Sequence, residues 1–138
     1  MNTAYIREQI RLAAENARKS KPLAGSITNF VTVNFVANAQ LAAGGSAAMV
    51  YLPDEGEGLV KMGDSMYINV GTLLPIYEET VPRTLNALCK LGKPWVLDPV
   101  AVGLARCGRS CCFNARNISR RLFAATRRKS LRWLAYGR

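Results

Sequence analysis

Apolar residues recur along this chain with two periods, one near four residues and one confined to short continuous runs. Over residues 4–19, Ile6, Ile10, Ala13 and Ala17 fall on one face with charges opposite, which predicts a helix that Lys21-Pro22 ends. A short strand is expected to close at Ile27. Thr28 and Asn29 can cap a second helix, with Val33, Val36, Ala37 and Leu41 apolar, that runs to the Gly44-Gly45 stop. A second strand begins at Ser46. In Pro53-Asp54-Glu55-Gly56-Glu57 the acids suit the start of a helix that continues to about Met62. Met66 to Val70 is a third strand, closed by Gly71-Thr72-Leu73. Pro75 to Leu91 reads as a helix with Tyr77, Val81, Leu85, Ala87 and Leu88 apolar and Gly92 just past its end, and Pro94 to Val100 as a buried strand.

Short apolar strands alternating with helices imply a parallel sheet in an α/β fold. Ligands in such sheets bind beyond the carboxyl ends of the strands. The residues due there are Asn29, Met49 to Pro53, Gly71-Thr72 and Asp98. Each has a plain structural reading on its own: a cap, a core methionine, a turn, and a turn former before Pro99. Their coincidence on one edge points to a ligand site. The segment from Ser26 to Tyr51 is also unusually polar for its hydrophobicity, since Thr28, Asn29, Asn34 and Asn38 stand where a structural helix favours Ala, Leu or Glu.

Composition divides the chain. Its 138 residues suffice for one domain with a core, and its mean hydropathy is near zero. The net charge is +10, yet residues 1–103 hold all nine acids and nine Lys and Arg, whereas the last 35 residues hold ten Lys and Arg and no acid. Residues 1–20 lack the apolar core of a secretion signal, and no apolar run is long enough to span a bilayer, so no membrane partner and a cytoplasmic location are expected.

Ile27-Thr28-Asn29-Phe30-Val31 with Asn34, Gly45-Ser46-Ala47-Ala48-Met49, Asn69-Val70-Gly71-Thr72-Leu73, and Leu97-Asp98-Pro99-Val100 with Gly103 resemble, in order and spacing, the hydroxyethylthiazole kinases of thiamine salvage. The resemblance covers about residues 3–104. It implies a ribokinase-like three-layer α/β fold with a parallel sheet, here truncated after about the fourth strand. It also implies a homotrimer with sites between subunits, and transfer of the ATP γ-phosphate to the hydroxyethyl group of a thiazole alcohol with Mg²⁺. By the same resemblance Met49 offers its backbone amide to the thiazole, Asn29 lines that pocket, and Asp98 belongs to the metal and phosphate side. No catalytic residue is carried over to this chain. The family's Arg-Gly-Asn-Ala-Ser-Glu motif, its glycine-rich anion hole and its cysteine near the transferred phosphate have no readable counterpart after Asp98.

Residues 104–138 therefore need a separate account. As a basic arm, with Arg120, Arg121, Arg127, Arg128, Lys129 and Arg132 among Phe123, Leu131, Trp133 and Leu134, they would make the chain a small nucleic-acid-binding protein. As a metal site, Cys107, Cys111 and Cys112 have no His anywhere in the chain to join them, and their spacing is not that of a zinc knuckle. The genetic code supplies a third account. Permitted codons for Leu122 to Leu134, regrouped by one base, read Ile-Arg-Gly-Asn-Ala-Ser-Glu-Ile-Leu-Ala-Leu-Ala, which contains the missing motif. Leu104 to Arg121 regroups in the same frame to a family-like continuation. A one-base deletion near the Leu104 codon, with out-of-frame reading to an early stop, explains the loss of acids and the excess of Arg and Cys. On that account residues 1–103 are the N-terminal part of a kinase domain, residues 104–138 are an accident of frame, the chain lacks kinase activity, and no nucleic-acid partner is expected. A regulatory partner of full-length trimers is a further class of function, carried only by the Ser26 to Met49 segment.

Overall fold

The computed structural model describes residues 3–100. Residues 104–138, with the candidate basic arm and Cys107, Cys111 and Cys112, lie outside the described residues. The elements are α1 (Thr3–Ser20), β1 (Leu23–Ile27), α2 (Val33–Ala42), β2 (Ser46–Met49), α3 (Pro53–Met62), β3 (Ser65–Asn69), α4 (Tyr77–Leu91) and β4 (Trp95–Asp98). The four strands form one parallel sheet in the order β2-β1-β3-β4.

That order follows from the crossovers. The step from β1 through α2 to β2 goes one way along the sheet, and the steps through α3 and α4 go the other way. Right-handed crossovers then put α2 on one face and α3 with α4 on the opposite face. The side chains agree. Ile27, Ile68 and Leu97 alternate out of their strands onto the α3/α4 face, where they join Leu59, Val60, Val81, Leu85 and Leu88 in one buried core. Each such aliphatic side chain contributes about 1.5–3 kcal/mol when fully buried. Ser26, the neighbour of Ile27, points to the other face and accepts a hydrogen bond from Gln40 Nε2 of α2 at 2.8 Å. Gly25 lies under α3, and a Cβ there would stand 2.2 Å from Met66 Sδ and 2.5 Å from Leu59 Cδ2.

The helix starts differ from the sequence expectation in one place. Thr28 and Asn29 do not cap α2: the cap position is Thr32, with no side-chain cap bond. Asn29 instead closes a turn ahead of the helix, its Oδ1 accepting from the Thr32 N–H at 3.1 Å. A short polar side chain bonds most easily to backbone two or three residues on, and here the chain turns before it coils. The α3 start is as expected, with Glu55 Oε2 accepting from the N–H groups of Leu52 and Tyr51 at 2.9 and 3.1 Å.

Neither α1 nor α2 contains a buried residue, although α1 carries an apolar face and α2 is apolar over most of its surface. Ile10 is 64% exposed. Periodicity reports which face can be buried, not whether a partner covers it. The polar positions of α2 are answered locally, since Asn38 Nδ2 donates to Asn34 Oδ1 one turn away at 3.1 Å.

Candidate functional site

The chain reverses its direction of travel along the sheet between β1 and β3. At such a switch point the loops after the two strands part to opposite faces, leaving a crevice beyond their carboxyl ends. Thr28 and Asn29 follow β1 there, Asn69 closes β3 and Val70 and Gly71 follow it, and all five are buried, whereas Thr72 just beyond is exposed.

On the β3/β4 side, Asn69 and Asp98 are register partners. Asn69 Nδ2 donates to Asp98 Oδ2 at 3.0 Å, and Tyr67 Oη donates to the same oxygen at 3.0 Å. Asn69 Nδ2 also reaches Tyr67 Oη at 3.1 Å. The amide orientation is not arbitrary, because Asn69 Oδ1 accepts from the Gly71 N–H at 2.9 Å. Gly71 is required by crowding: a Cβ would lie 2.7 Å from Val100 Cγ1. Burial is the main cause of the raised pKa of the Tyr67 phenol. The Asn69 bond lowers it, and the Asp98 charge and hydrogen bond raise it further. This network holds one carboxylate oxygen of Asp98 in a fixed direction at the sheet edge.

On the β1/β2 side, Asn29 is buried and its side-chain oxygen is engaged with Thr32, at 3.1 Å to the backbone N–H and 3.2 Å to the hydroxyl. Met49 ends β2 opposite Ser26. The N–H groups of Ser46 and Val50 both point into the sheet, donating to Pro22 and Ser26 carbonyls at 2.8 Å. Alternation along a strand therefore turns the Met49 N–H away from β1, toward the outer edge of β2, the end strand among the described residues. The loops after β1 and β2 are pinned together by Phe30 and Tyr51, whose rings stack 5.8 Å apart at 16°.

The structure thus brings Asn29 and Met49 to one flank of the switch point and Asp98 to the other, with Gly71-Thr72 between them. Thr72 has a positive φ of 50°. Sequence reading missed Tyr67 and Asn69 as partners of Asp98 and missed the Phe30–Tyr51 stack. The period of two that places Tyr67 and Asn69 on one face of β3 was the available signal. Among the described residues no three or more His, Cys, Asp or Glu side chains gather around a common point. No described helix is long and apolar enough to cross a membrane.

A doubly wound parallel sheet with polar groups collected at its switch point defines an α/β protein of the ribokinase-like class. The pattern of the hydroxyethylthiazole kinase family matches residues 14–125, and the chain belongs to that family. It is 55% identical over 101 residues to a hydroxyethylthiazole kinase of Bifidobacterium longum (strain NCC 2705), a match covering 73% of this chain and 32% of that protein. It is 41% identical over 101 residues to hydroxyethylthiazole kinase 1 of Methanosphaera stadtmanae, covering 73% of this chain and 35% of that protein. Among solved structures, the hydroxyethylthiazole kinase protein from Pyrococcus horikoshii OT3 superposes with a TM-score of 0.84 at 30% identity, over 93% of this chain and 50% of that one. The chain spans about a third of the length of these curated relatives.

Proposed function

We propose that residues 1–103 supply the thiazole-binding flank and the acidic strand end of an enzyme that phosphorylates the hydroxyethyl group of 4-methyl-5-(2-hydroxyethyl)thiazole with ATP in thiamine salvage. The observation that carries this reading is the division of the switch point: Asn29 and an outward Met49 N–H on one flank, Asp98 held by Asn69 and Tyr67 on the other. Phosphoryl transfer asks a protein for positioning and charge neutralisation more than covalent help. On this reading the Met49 N–H donates to the thiazole and the Asn29 turn shapes its pocket.

A lone carboxylate fits Mg²⁺, which keeps most of its water and leans on substrate phosphates. Asp98 is the residue that would hold it. When bound, the ion supplies neutralisation of phosphate charge. Tyr67 and Asn69 keep the carboxylate directed, and burial around Thr28 and Ile27 keeps water from the strand ends.

The ATP-side motif is unreadable in residues 104–138, which we take as out-of-frame translation of the same domain. The chain by itself then binds the thiazole alcohol without turning it over. We further propose the family's homotrimer, working in the cytoplasm with no nucleic-acid partner. Exposed Phe30, Val31 (87%) and Phe35 (76%) support an assembly surface of that kind. Calorimetric titration of the purified chain with the thiazole alcohol, beside an ATP-coupled assay, tests the reading. Saturable binding without product is expected; absence of binding, or phosphorylated thiazole from this chain alone, overturns it.

A further inference from the structure

We infer that the outward cleft between α3 and α4 is a second binding site, for a small dianion of phosphate-monoester chemistry. The cleft has a volume of about 280 Å³ and lies on the helix layer, away from the strand ends. Helix α3 contributes Glu57 and Lys61, one turn apart. Helix α4 contributes Arg83, Asn86, Lys90 and Leu91, a single stripe along its length.

The charges in this cleft are not equivalent. Arg83 Nε and Nη2 hold the two oxygens of Glu57 at 3.0 and 2.9 Å, and Nη1 reaches Glu79 at 2.8 Å. Both Glu57 oxygens are thus engaged across the helix pair, and the guanidinium is fixed as part of the wall. Lys61 and Lys90 are exposed and have no hydrogen-bond or ion-pair partner among the described residues. The Glu57 carboxyl is held below the usual range first by Arg83, with Lys61 and Lys90 adding to it, so both ammonium groups act on the same small space. Lys61 and Lys90 stand in the last turns of their helices beside a Glu57 carboxylate already bound by Arg83, so the lining keeps a net positive charge that favours a doubly charged anion, and the Asn86 amide adds neutral donors. Leu91 gives an apolar edge for the organic part of a monoester. A concavity of this volume encloses one phosphoryl group and a few carbons rather than a run of nucleic-acid phosphates.

The test is an amide-resolved NMR titration of the full chain with inorganic phosphate and with glycerol phosphate, chloride being exchanged to hold ionic strength constant. Shifts at the Lys61, Asn86 and Lys90 amides that saturate in the range of about 1–10 mM are expected, as befits a partly exposed site of few contacts. The Lys61→Ala/Lys90→Ala double variant should weaken that binding at least tenfold, with an unchanged circular dichroism spectrum. Shifts that stay linear in concentration, saturable shifts confined to residues 104–138, or equal affinity in the double variant would each overturn the assignment. The thiazole titration is independent of this outcome, because none of these residues lies at the strand ends.

Discussion

Asn69 and Asp98 face each other in register across β3 and β4, the amide nitrogen of one donating to Oδ2 of the other at 3.0 Å. Asn69 is 4% exposed, so this donor has no water to replace it. The Asn69→Asp substitution puts a carboxylate where the donor was, against a second carboxylate. A loss of about 2–4 kcal/mol is expected at neutral pH, from the lost donor and the repulsion together. Adding Asp98→Asn removes the second carboxylate and restores an amide donor between the pair, so it should recover part of the loss. Urea unfolding of the single and double variants measures it. A double variant no more stable than Asn69→Asp would contradict the repulsion.

Gly56 of α3 meets Thr84 of α4 so closely that a Cβ on Gly56 would lie 2.1 Å from Thr84 Oγ1. That hydroxyl is buried without a hydrogen-bond partner among the described residues. Gly56→Ala is expected to destabilise by about 1–3 kcal/mol through overpacking, despite the better helix propensity of Ala. Adding Thr84→Ala should recover most of this loss, because it removes the obstructing and unpaired oxygen. A double-mutant cycle checks the coupling.

The phenol of Tyr77 is 1% exposed, and its hydrogen bond to the Thr28 carbonyl is a long one, 3.5 Å. Burial raises its pKa, and the neighbouring Tyr51 and Glu55 add to the effect. A group with a raised folded-state pKa stabilises fully below its unfolded value, and that stability is lost as pH rises through the folded one. Melting temperature should therefore fall above about pH 10, the ordinary tyrosine value. Tyr77→Phe should flatten the fall at little cost near neutrality, and thermal melts between about pH 8 and pH 11 follow it.

Because the Met49 N–H points away from β1, Met49→Pro deletes that donor without deleting a ladder bond, at an edge where proline is tolerated. Stability should change little. Affinity for the thiazole alcohol should drop about tenfold, the value of one hydrogen bond of about 1.4 kcal/mol. Calorimetry beside a thermal melt separates the two effects, and unchanged affinity would remove Met49 from the pocket.

Inserting a single base at the Leu104 codon, in a gene clone that continues past the stop, is expected to restore an Arg-Gly-Asn-Ala-Ser-Glu motif and thiazole phosphorylation. Resequencing that region comes first. If no frame downstream encodes family sequence, the out-of-frame account of residues 104–138 fails and the basic arm becomes the leading account.

Much of the fold was legible in the chain. The eight described elements fall within a few residues of their expected bounds, since α3 and α4 carry clear helical stripes and the strands are short apolar runs between breakers. Met49 closes β2, Asp98 closes β4 and Asn29 lies two residues past β1. Tyr67 was passed over because a tyrosine in a strand reads as ordinary β propensity until its hydroxyl finds a carboxylate.

What the sequence determined by itself is local: which segments coil, which extend, where they stop, and the family motifs they carry. These depend on neighbours a few residues apart, which periodicity records. The order β2-β1-β3-β4, the meeting of Asn69 with Asp98 across 29 positions, the stack of Phe30 on Tyr51 and the close contact of Gly56 with Thr84 were decided by tertiary structure alone. Each depends on crossover handedness and strand register, which bring together residues that no local pattern relates.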